Sequence, residues 1–210
     1  MRMHYSVLVA AATAATGLVN RADAQNPFGD DHYTNVGSYS FAIPIGDTHR
    51  FTPDPSFLGL AWEGQWRVRP RTAAGVALTF NEFYDNTRGT ASFATGAVTG
   101  LQTRALMLAS AMAVGRWYVH KAAYDGAYVG LGAGGQVGRE YYVVGTSSPF
   151  ARSAVHFVVA PELGFAHPVA EGMELVVSAR YTGSSAAGNY IGGGARRFQF
   201  VTLSIGMAER

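Results

Sequence analysis

The chain has 210 residues, of which only 14% are charged and 12% aromatic, with 26 glycines and a formal charge of +2. Soluble domains carry nearer a quarter charged residues, so something other than water is expected to cover much of this surface. The small net charge and scattered Lys and Arg exclude a nucleic-acid partner. The absence of Cys excludes a disulfide framework and thiolate metal sites.

Residues 1–24 read as an export signal. Met1-Arg2-Met3-His4 is a short basic start, Val7 to Ala15 an apolar run extended by Gly17-Leu18-Val19, and Ala22-Asp23-Ala24 offers small residues for cleavage before Gln25. The apolar core is too short to span a membrane as an anchor. Cleavage takes away Arg2, Arg21 and Asp23, leaving 14 basic and 13 acidic residues. No Cys follows the cleavage site to carry a lipid. Residues 25–35 are then expected to be a periplasmic N-terminal segment, and residues 36–210 the folded domain. The longest uncharged apolar run, Ala105 to Gly115, is about half the length of a spanning helix. If the mature chain enters a membrane, it must do so as strands.

From there a period-two alternation recurs, the mark of half-buried strands. The first strand sets Tyr39, Phe41, Ile43 and Ile45 against Ser38, Ser40 and Ala42. In the second, Leu58, Leu60, Trp62, Trp66 and Val68 share one face with Gly64, while Gly59, Ala61, Glu63, Gln65 and Arg67 share the other. The third opposes Val76, Leu78 and Phe80 to Gly75, Ala77, Thr79 and Asn81. Arg104–Tyr118 reads as a fourth strand, its alternation blurred by Ala and Met. The fifth opposes Val129, Leu131, Ala133 and Val137 to Gly130, Gly132, Gly134, Gln136 and Gly138. The sixth opposes Val155, Phe157, Val159, Leu163 and Phe165 to His156, Ala160, Glu162 and Gly164. The seventh opposes Met173, Leu175, Val177, Ala179 and Tyr181 to Glu174, Ser178 and Arg180. The eighth opposes Val201, Leu203, Ile205 and Met207 to Thr202, Ser204 and Gly206.

The links alternate in length: 46–56 long, 69–72 short, 85–102 long, 120–126 short, 142–152 long, 167–172 short, 182–197 long. That rhythm predicts an all-β, eight-stranded antiparallel up-and-down transmembrane β-barrel with short periplasmic turns and long outer loops. About ten residues per tilted strand match the hydrocarbon thickness. Trp66, Trp117, Tyr118, Tyr128 and Phe165 sit beside the short turns, and Phe57, Phe80, Tyr84, Tyr141 and Tyr181 beside the long loops, as two aromatic girdles would. By parity, however, Phe57 and Tyr128 fall on the inward face.

The first-strand run Ser40-Phe41-Ala42-Ile43-Pro44-Ile45-Gly46-Asp47 resembles the small eight-stranded outer-membrane proteins, like the OmpA transmembrane domain. So do Glu63-Gly64-Gln65-Trp66-Arg67, Pro161-Glu162-Leu163-Gly164-Phe165 and Phe200-Val201-Thr202-Leu203-Ser204-Ile205-Gly206. The likeness covers the chain from about Val36 onward. It implies an outer-membrane location in a Gram-negative bacterium, lipid and lipopolysaccharide as surroundings, passage through the outer-membrane insertion machinery, and a monomer. The family's last strand commonly ends on an aromatic residue, whereas this chain ends Met207-Ala208-Glu209-Arg210; no peptidoglycan-binding domain is expected after it.

Eight strands enclose a lumen just wide enough for side chains. Glu63, Arg67, Glu162, Glu174 and Arg180 fall on the inward face, where charges need partners. They are expected to form an internal polar network that plugs the barrel. The competing reading is a narrow channel for small solutes or hydrophobic compounds. No cofactor or metal is expected: His32, His49, His120, His156 and His167 form no ligand set. Gly130-Leu131-Gly132-Ala133-Gly134-Gly135 matches a dinucleotide-binding pattern, but inside a strand with no helix to receive a phosphate it reads as small residues lining the lumen. Arg139-Glu140 reads as rim charge.

Some eight-stranded barrels modify lipid A, so His156 near Ser153, and His49 with Asp47 and Ser56, are weighed as hydrolase residues. Ser153 falls on the face opposite His156, which weakens the first set. The expectation is a non-enzymatic protein, stabilising the membrane or presenting its outer loops at the surface. A soluble lipocalin-like barrel remains as an alternative that would turn the large apolar face inward.

Overall fold

Eight stretches of alternating sequence, each with an apolar face to cover, satisfy their backbone groups by pairing in sequence order and closing on themselves. The computed structural model describes residues 33–93, 96–119, 126–145, 150–191 and 194–209. The expected signal peptide, most of the segment 25–35, His32 and His120 lie outside the described residues. The strands are β1 (Tyr33–Ile45), β2 (Ser56–Arg69), β3 (Thr72–Phe93), β4 (Gly96–Tyr118), β5 (Gly126–Val144), β6 (Phe150–Ala170), β7 (Met173–Ser184) and β8 (Gln199–Glu209), with one short helix, α1 (Gly46–Phe51). All neighbours are antiparallel, and β1 pairs with both β2 and β8, so the barrel is closed.

The outer wall follows the alternation. Leu78, Leu131, Val155, Phe157, Leu163, Leu203 and Ile205 are exposed, while their strand neighbours Ala77, Gln136, His156, Glu162 and Thr202 are buried inside. The soluble alternative is overturned by this polarity, because large apolar side chains face outward. The outward positions of β6 and β7 carry no Asp, Glu, Lys or Arg among the described residues. On β5 the uncharged outward face runs from Ala127 to Val137 and ends at Arg139. At ~3.3 Å per residue and a tilt of about 40°, that stretch stands roughly 25 Å tall.

Several elements depart from the sequence expectation. Residues 85–102, expected as a loop, are mostly strand: β3 and β4 stay in register from Thr72↔Trp117 to Phe93↔Gly96. The hairpin is threonine-rich, and Thr90 and Thr99 join hydroxyls across it at 2.8 Å while Thr103 donates to Asn86 at 2.8 Å. Polar, small and apolar residues are mixed at both parities of the stretch, so strand-forming residues gave no alternation to read. Likewise β5 and β6 extend the pairing to Tyr142↔Phe150, shortening the loop expected at 142–152. The loop 46–56 holds α1, with Thr48 and Phe51 buried.

Phe57 is exposed rather than inward. The β1–β2 register slips between Ser40↔Gly59 and Ala42↔Ser56, which places two residues of β2, Phe57 and Leu58, opposite Phe41. Such a bulge re-aims side chains, and here both face outward. In β4 the large residues Leu106, Leu108, Met112 and Val114 point inward and Ala109, Ala111 and Ala113 outward. The blurred alternation was a strand with its size pattern reversed.

Candidate functional site

Inside the barrel, the polar and apolar side chains sort into layers. Val36, Ala73, Tyr118, Tyr128, Ala166, Val176 and Ala208 cluster at the short-turn end. Ala77, Met112, Val114, Val158 and Ala160 form a second cluster. Phe51, Phe83, Leu106, Leu108, Tyr190, Phe198, Phe200 and Ala42 fill the long-loop end.

Four charged side chains from four strands meet in a ring: Glu63 on β2, Arg116 on β4, Glu162 on β6 and Arg180 on β7. Arg116 Nη2 donates to Glu63 Oε2 at 2.5 Å and to Glu162 Oε1 at 2.7 Å. Arg180 Nη2 pairs with both carboxylates, and its Nε donates to Glu162 Oε2 at 2.8 Å. Tyr128 donates its hydroxyl to Glu162 Oε1 at 2.6 Å, and Gln65 donates to Glu63 Oε2 at 2.9 Å. The Arg116 guanidinium lies 4.5 Å over the Tyr128 ring. None of the four charged side chains is more than 10% exposed. Two carboxylates and two guanidiniums leave the ring neutral, so burial is met by pairing instead of solvent. Paired side chains from four strands occupy this cross-section.

The structure therefore brings together Glu63, Glu162 and Arg180 of the five expected lumen residues. Glu174 is also buried and Arg67 half-buried, both nearer the short turns. Sequence reasoning missed Arg116. Placing Trp117 in the girdle already implied that Arg116 points inward, since successive side chains on a strand alternate.

The girdle expectation divides. Trp66, Trp117 and Phe165 lie exposed on the outer wall at the short-turn end. Tyr118 and Tyr128 do not belong to it: both are buried inside, with their ring centroids 5.3 Å apart. Trp117 and Val129 take the outward positions, which turns the neighbouring tyrosines into the lumen. Room for Tyr128 comes from Gly164, where an added Cβ would come within 2.2 Å of Tyr128 Cζ. The glycine run 130–134 serves a similar purpose. A Cβ at Gly130 would come 3.3 Å from Arg116 Cγ, and one at Gly132 would come 3.3 Å from Met112 Sδ.

The long-loop mouth is covered by the chain after β7. Tyr190 is buried there against His156, whose ring it stacks upon at 5.7 Å, and against Phe198 at 5.3 Å. Glu140, expected at the rim, is fully buried and faces Arg196 Nε at 3.2 Å. Asp47 pairs with Arg50 and accepts the Arg197 backbone N–H at 3.2 Å, so its contacts run away from His49. Ser56 donates to the Glu82 carbonyl at 2.5 Å. Neither weighed hydrolase set is assembled. No group of His, Asp and Glu able to hold a metal occurs among the described residues.

Outside the barrel, the β3–β4 hairpin projects past its neighbours. The last β2–β3 pair is Leu58↔Glu82 and the last β4–β5 pair Gln102↔Val144. Beyond Glu82, β3 is paired on one edge only for 11 residues, roughly 35 Å of extended chain.

No protein-family model matches the chain, and no curated protein matches it in sequence. Solved structures that are similar include Ail, the attachment invasion locus protein of Yersinia pestis. That likeness has 10% identity and a TM-score of 0.48, covering 85% of this chain and 95% of Ail. Neisserial surface protein A (NspA) has 12% identity and a TM-score of 0.49 over 85% and 95% of the two chains. The outer membrane protein AlkL has 13% identity and a TM-score of 0.34 over 85% and 87%. On its own strand order and closure, the chain has the fold of a small eight-stranded outer-membrane β-barrel.

Proposed function

We propose that the protein is a non-enzymatic integral outer-membrane barrel, exported by its first 24 residues. Its lumen is a structural plug, and its surface role is carried by the long-loop end, the β3–β4 hairpin above all. The observation that carries this reading is the contrast between interior and exterior. The interior is filled by a neutral ring of ion pairs between apolar layers, while the hairpin stands clear of the wall with exposed Arg88 and Leu101. The wall supports the membrane assignment, since an uncharged belt about 25 Å tall suits hydrocarbon and would be an aggregation surface in water. Closure of the sheet leaves no unpaired strand edge within that belt.

A small-solute channel asks for a continuous polar path, and the aromatic and aliphatic layers at both ends count against one. A channel for hydrophobic compounds asks for an apolar path, and the ring of Glu63, Arg116, Glu162 and Arg180 between those layers counts against that. The contacts of Asp47 and Ser56 likewise favour the non-enzymatic reading over lipid A modification.

The test pairs fractionation with a hairpin deletion. The protein is expected in the outer-membrane fraction with heat-modifiable gel migration. Replacing 86–103 by a short turn is expected to abolish attachment of cells to surfaces while leaving permeability and heat-modifiability unchanged. Recovery in the soluble periplasm, or steady conductance of defined size in planar bilayers, overturns the reading.

A further inference from the structure

The mouth is covered by two chain arms, 185–191 and 194–198, which lie back over the lumen and are tied to the wall by titratable side chains. Tyr190 donates to His156 Nε2 at 2.6 Å and also lies 3.3 Å from the Gly138 carbonyl. His156 Nδ1 faces the Ser185 carbonyl at 2.9 Å; a carbonyl only accepts, so Nδ1 carries the proton and Nε2 accepts from Tyr190. The second tie is Glu140. Its Oε2 accepts the Ile191 N–H at 3.2 Å, and its Oε1 has Arg196 Nε at 3.2 Å in a geometry that makes no hydrogen bond. Arg196 also donates to the Ile191 carbonyl at 2.5 Å and covers the Phe51 ring at 4.9 Å.

Glu140 is thus a wall carboxyl at the level of Arg152, its cross-strand partner and above the uncharged belt, fully buried and held by Ile191 and Arg196 of the arms. Opening the arms returns it to solvent. We infer that the arms form a proton-linked cap over the outer mouth, which closes on acidification and loosens as the medium turns alkaline, with Glu140 as the sensing group.

The direction follows from linkage. Burial pushes the Glu140 carboxyl up to about 7, against the pull of Arg196 and the Ile191 N–H. With the cap open, the carboxyl is solvated and returns towards its ordinary value of 4.5. The closed state binds the proton more tightly, so acid favours closure. Above pH 7, closing must bury an ionised carboxylate that holds one backbone hydrogen bond and one poorly aligned guanidinium. Between pH 5.5 and 8 the closing constant is expected to fall about thirtyfold.

The charged and titratable groups around the mouth are Arg196, Arg197 and Tyr190 on the arms, Arg152 and His156 on β6, Tyr142 on β5, Arg104 on β4, the buried Asp85 on β3, which accepts from Thr87, and Asp47, His49 and Arg50 on α1. Tyr190 stays protonated through this range because burial, with Glu140 nearby, holds its phenol at about 12.

The experiment uses the whole chain folded in lipid vesicles, with a spin label at Ala186→Cys, an exposed site on the first arm in a chain with no other Cys. The ratio of mobile to immobile label is expected to rise about thirtyfold from pH 5.5 to 8. Glu140→Gln is expected to stay immobile and flat across that range, and His156→Gln to keep the pH dependence. The proposal is overturned by any of three results: a ratio that does not change with pH, a Glu140→Gln response equal to the parent's, or a dependence that His156→Gln removes and Glu140→Gln retains.

Discussion

Replacing Arg116 by Met tests whether the charged ring holds the barrel together or merely fits inside it. Methionine approximates the aliphatic stem, so packing against Tyr128 and Gly130 changes little while the guanidinium is removed. The loss is specific: two ion pairs, to Glu63 at 2.5 Å and Glu162 at 2.7 Å, and the cation over the Tyr128 ring at 4.5 Å. What remains is two buried carboxylates facing Arg180 alone, a net negative charge where there had been none. Breaking a buried pair by deleting one partner costs about 3–5 kcal/mol, chiefly because the surviving charge stays buried. Removing charge from both signs is far milder, so Arg116→Met with Glu63→Gln is expected to cost only about 1–2 kcal/mol. The double variant should therefore be more stable than the single one. Urea unfolding in phosphatidylcholine vesicles, followed by the fluorescence of Trp62, Trp66 and Trp117, measures the parent, Arg116→Met, Glu63→Gln and the double variant. A single-variant loss below about 1 kcal/mol, or a Glu63→Gln cost that simply adds to it, refutes the ring as an energetic unit.

Two further substitutions probe the wall and the packing inside it. Leu163→Arg places a charge on the outer belt, where Leu163 is 63% exposed. It is expected to cost about 2–4 kcal/mol of vesicle stability, and an unchanged urea midpoint would mean that the belt does not meet hydrocarbon. Gly164→Ala drives a methyl group to within 2.2 Å of the Tyr128 ring and must displace the tyrosine that donates to Glu162. A loss of about 1–3 kcal/mol is expected in the same assay, and wild-type stability would show that Tyr128 has room to move.

The wall was legible because two periods coincide. Side chains on a strand alternate every residue, and this barrel asks for apolar outside and small or polar inside, so each strand prints the boundary directly. Where polar and small residues fall at both parities of a strand, nothing is printed: the hairpin 85–102 mixes Thr, Gly, Ala and Ser along its length and reads as a loop. A bulge breaks the count without changing composition, which is why Phe57 was assigned to the wrong face. Tyr118 and Tyr128 were placed by their nearness to turns, although their own parity pointed inward. Arg116 was lost with β4, where Leu106 and Leu108 face in and alanines face out. His156 was read on the inward face, but its partners and those of Glu140 were beyond reach for a different reason. Their burial depends on Tyr190, Ile191 and Arg196 returning over the mouth, a contact set by tertiary folding and not by any local pattern.

The glycines join these observations into one account of specificity. The outer wall makes a generic demand, met by any large apolar residue, and many substitutions there would be neutral. The lumen's demand is particular, since these large inward groups occupy space that a glycine elsewhere on the wall vacates. Gly164 yields to Tyr128, Gly130 to Arg116, and Gly138 to Phe198 and Tyr190, where an added Cβ would lie 2.4 Å from the Phe198 ring. The first two relations support the charged ring, and the third seats the cap. Glycine placement thus fixes where the interior is filled, and the charges fix which side chains meet there. A barrel built to conduct would use small inward residues to keep a path clear. Here the space they leave is taken up by side chains of the neighbouring strand or of the returning arms, which directs attention to the capped mouth and the projecting hairpin.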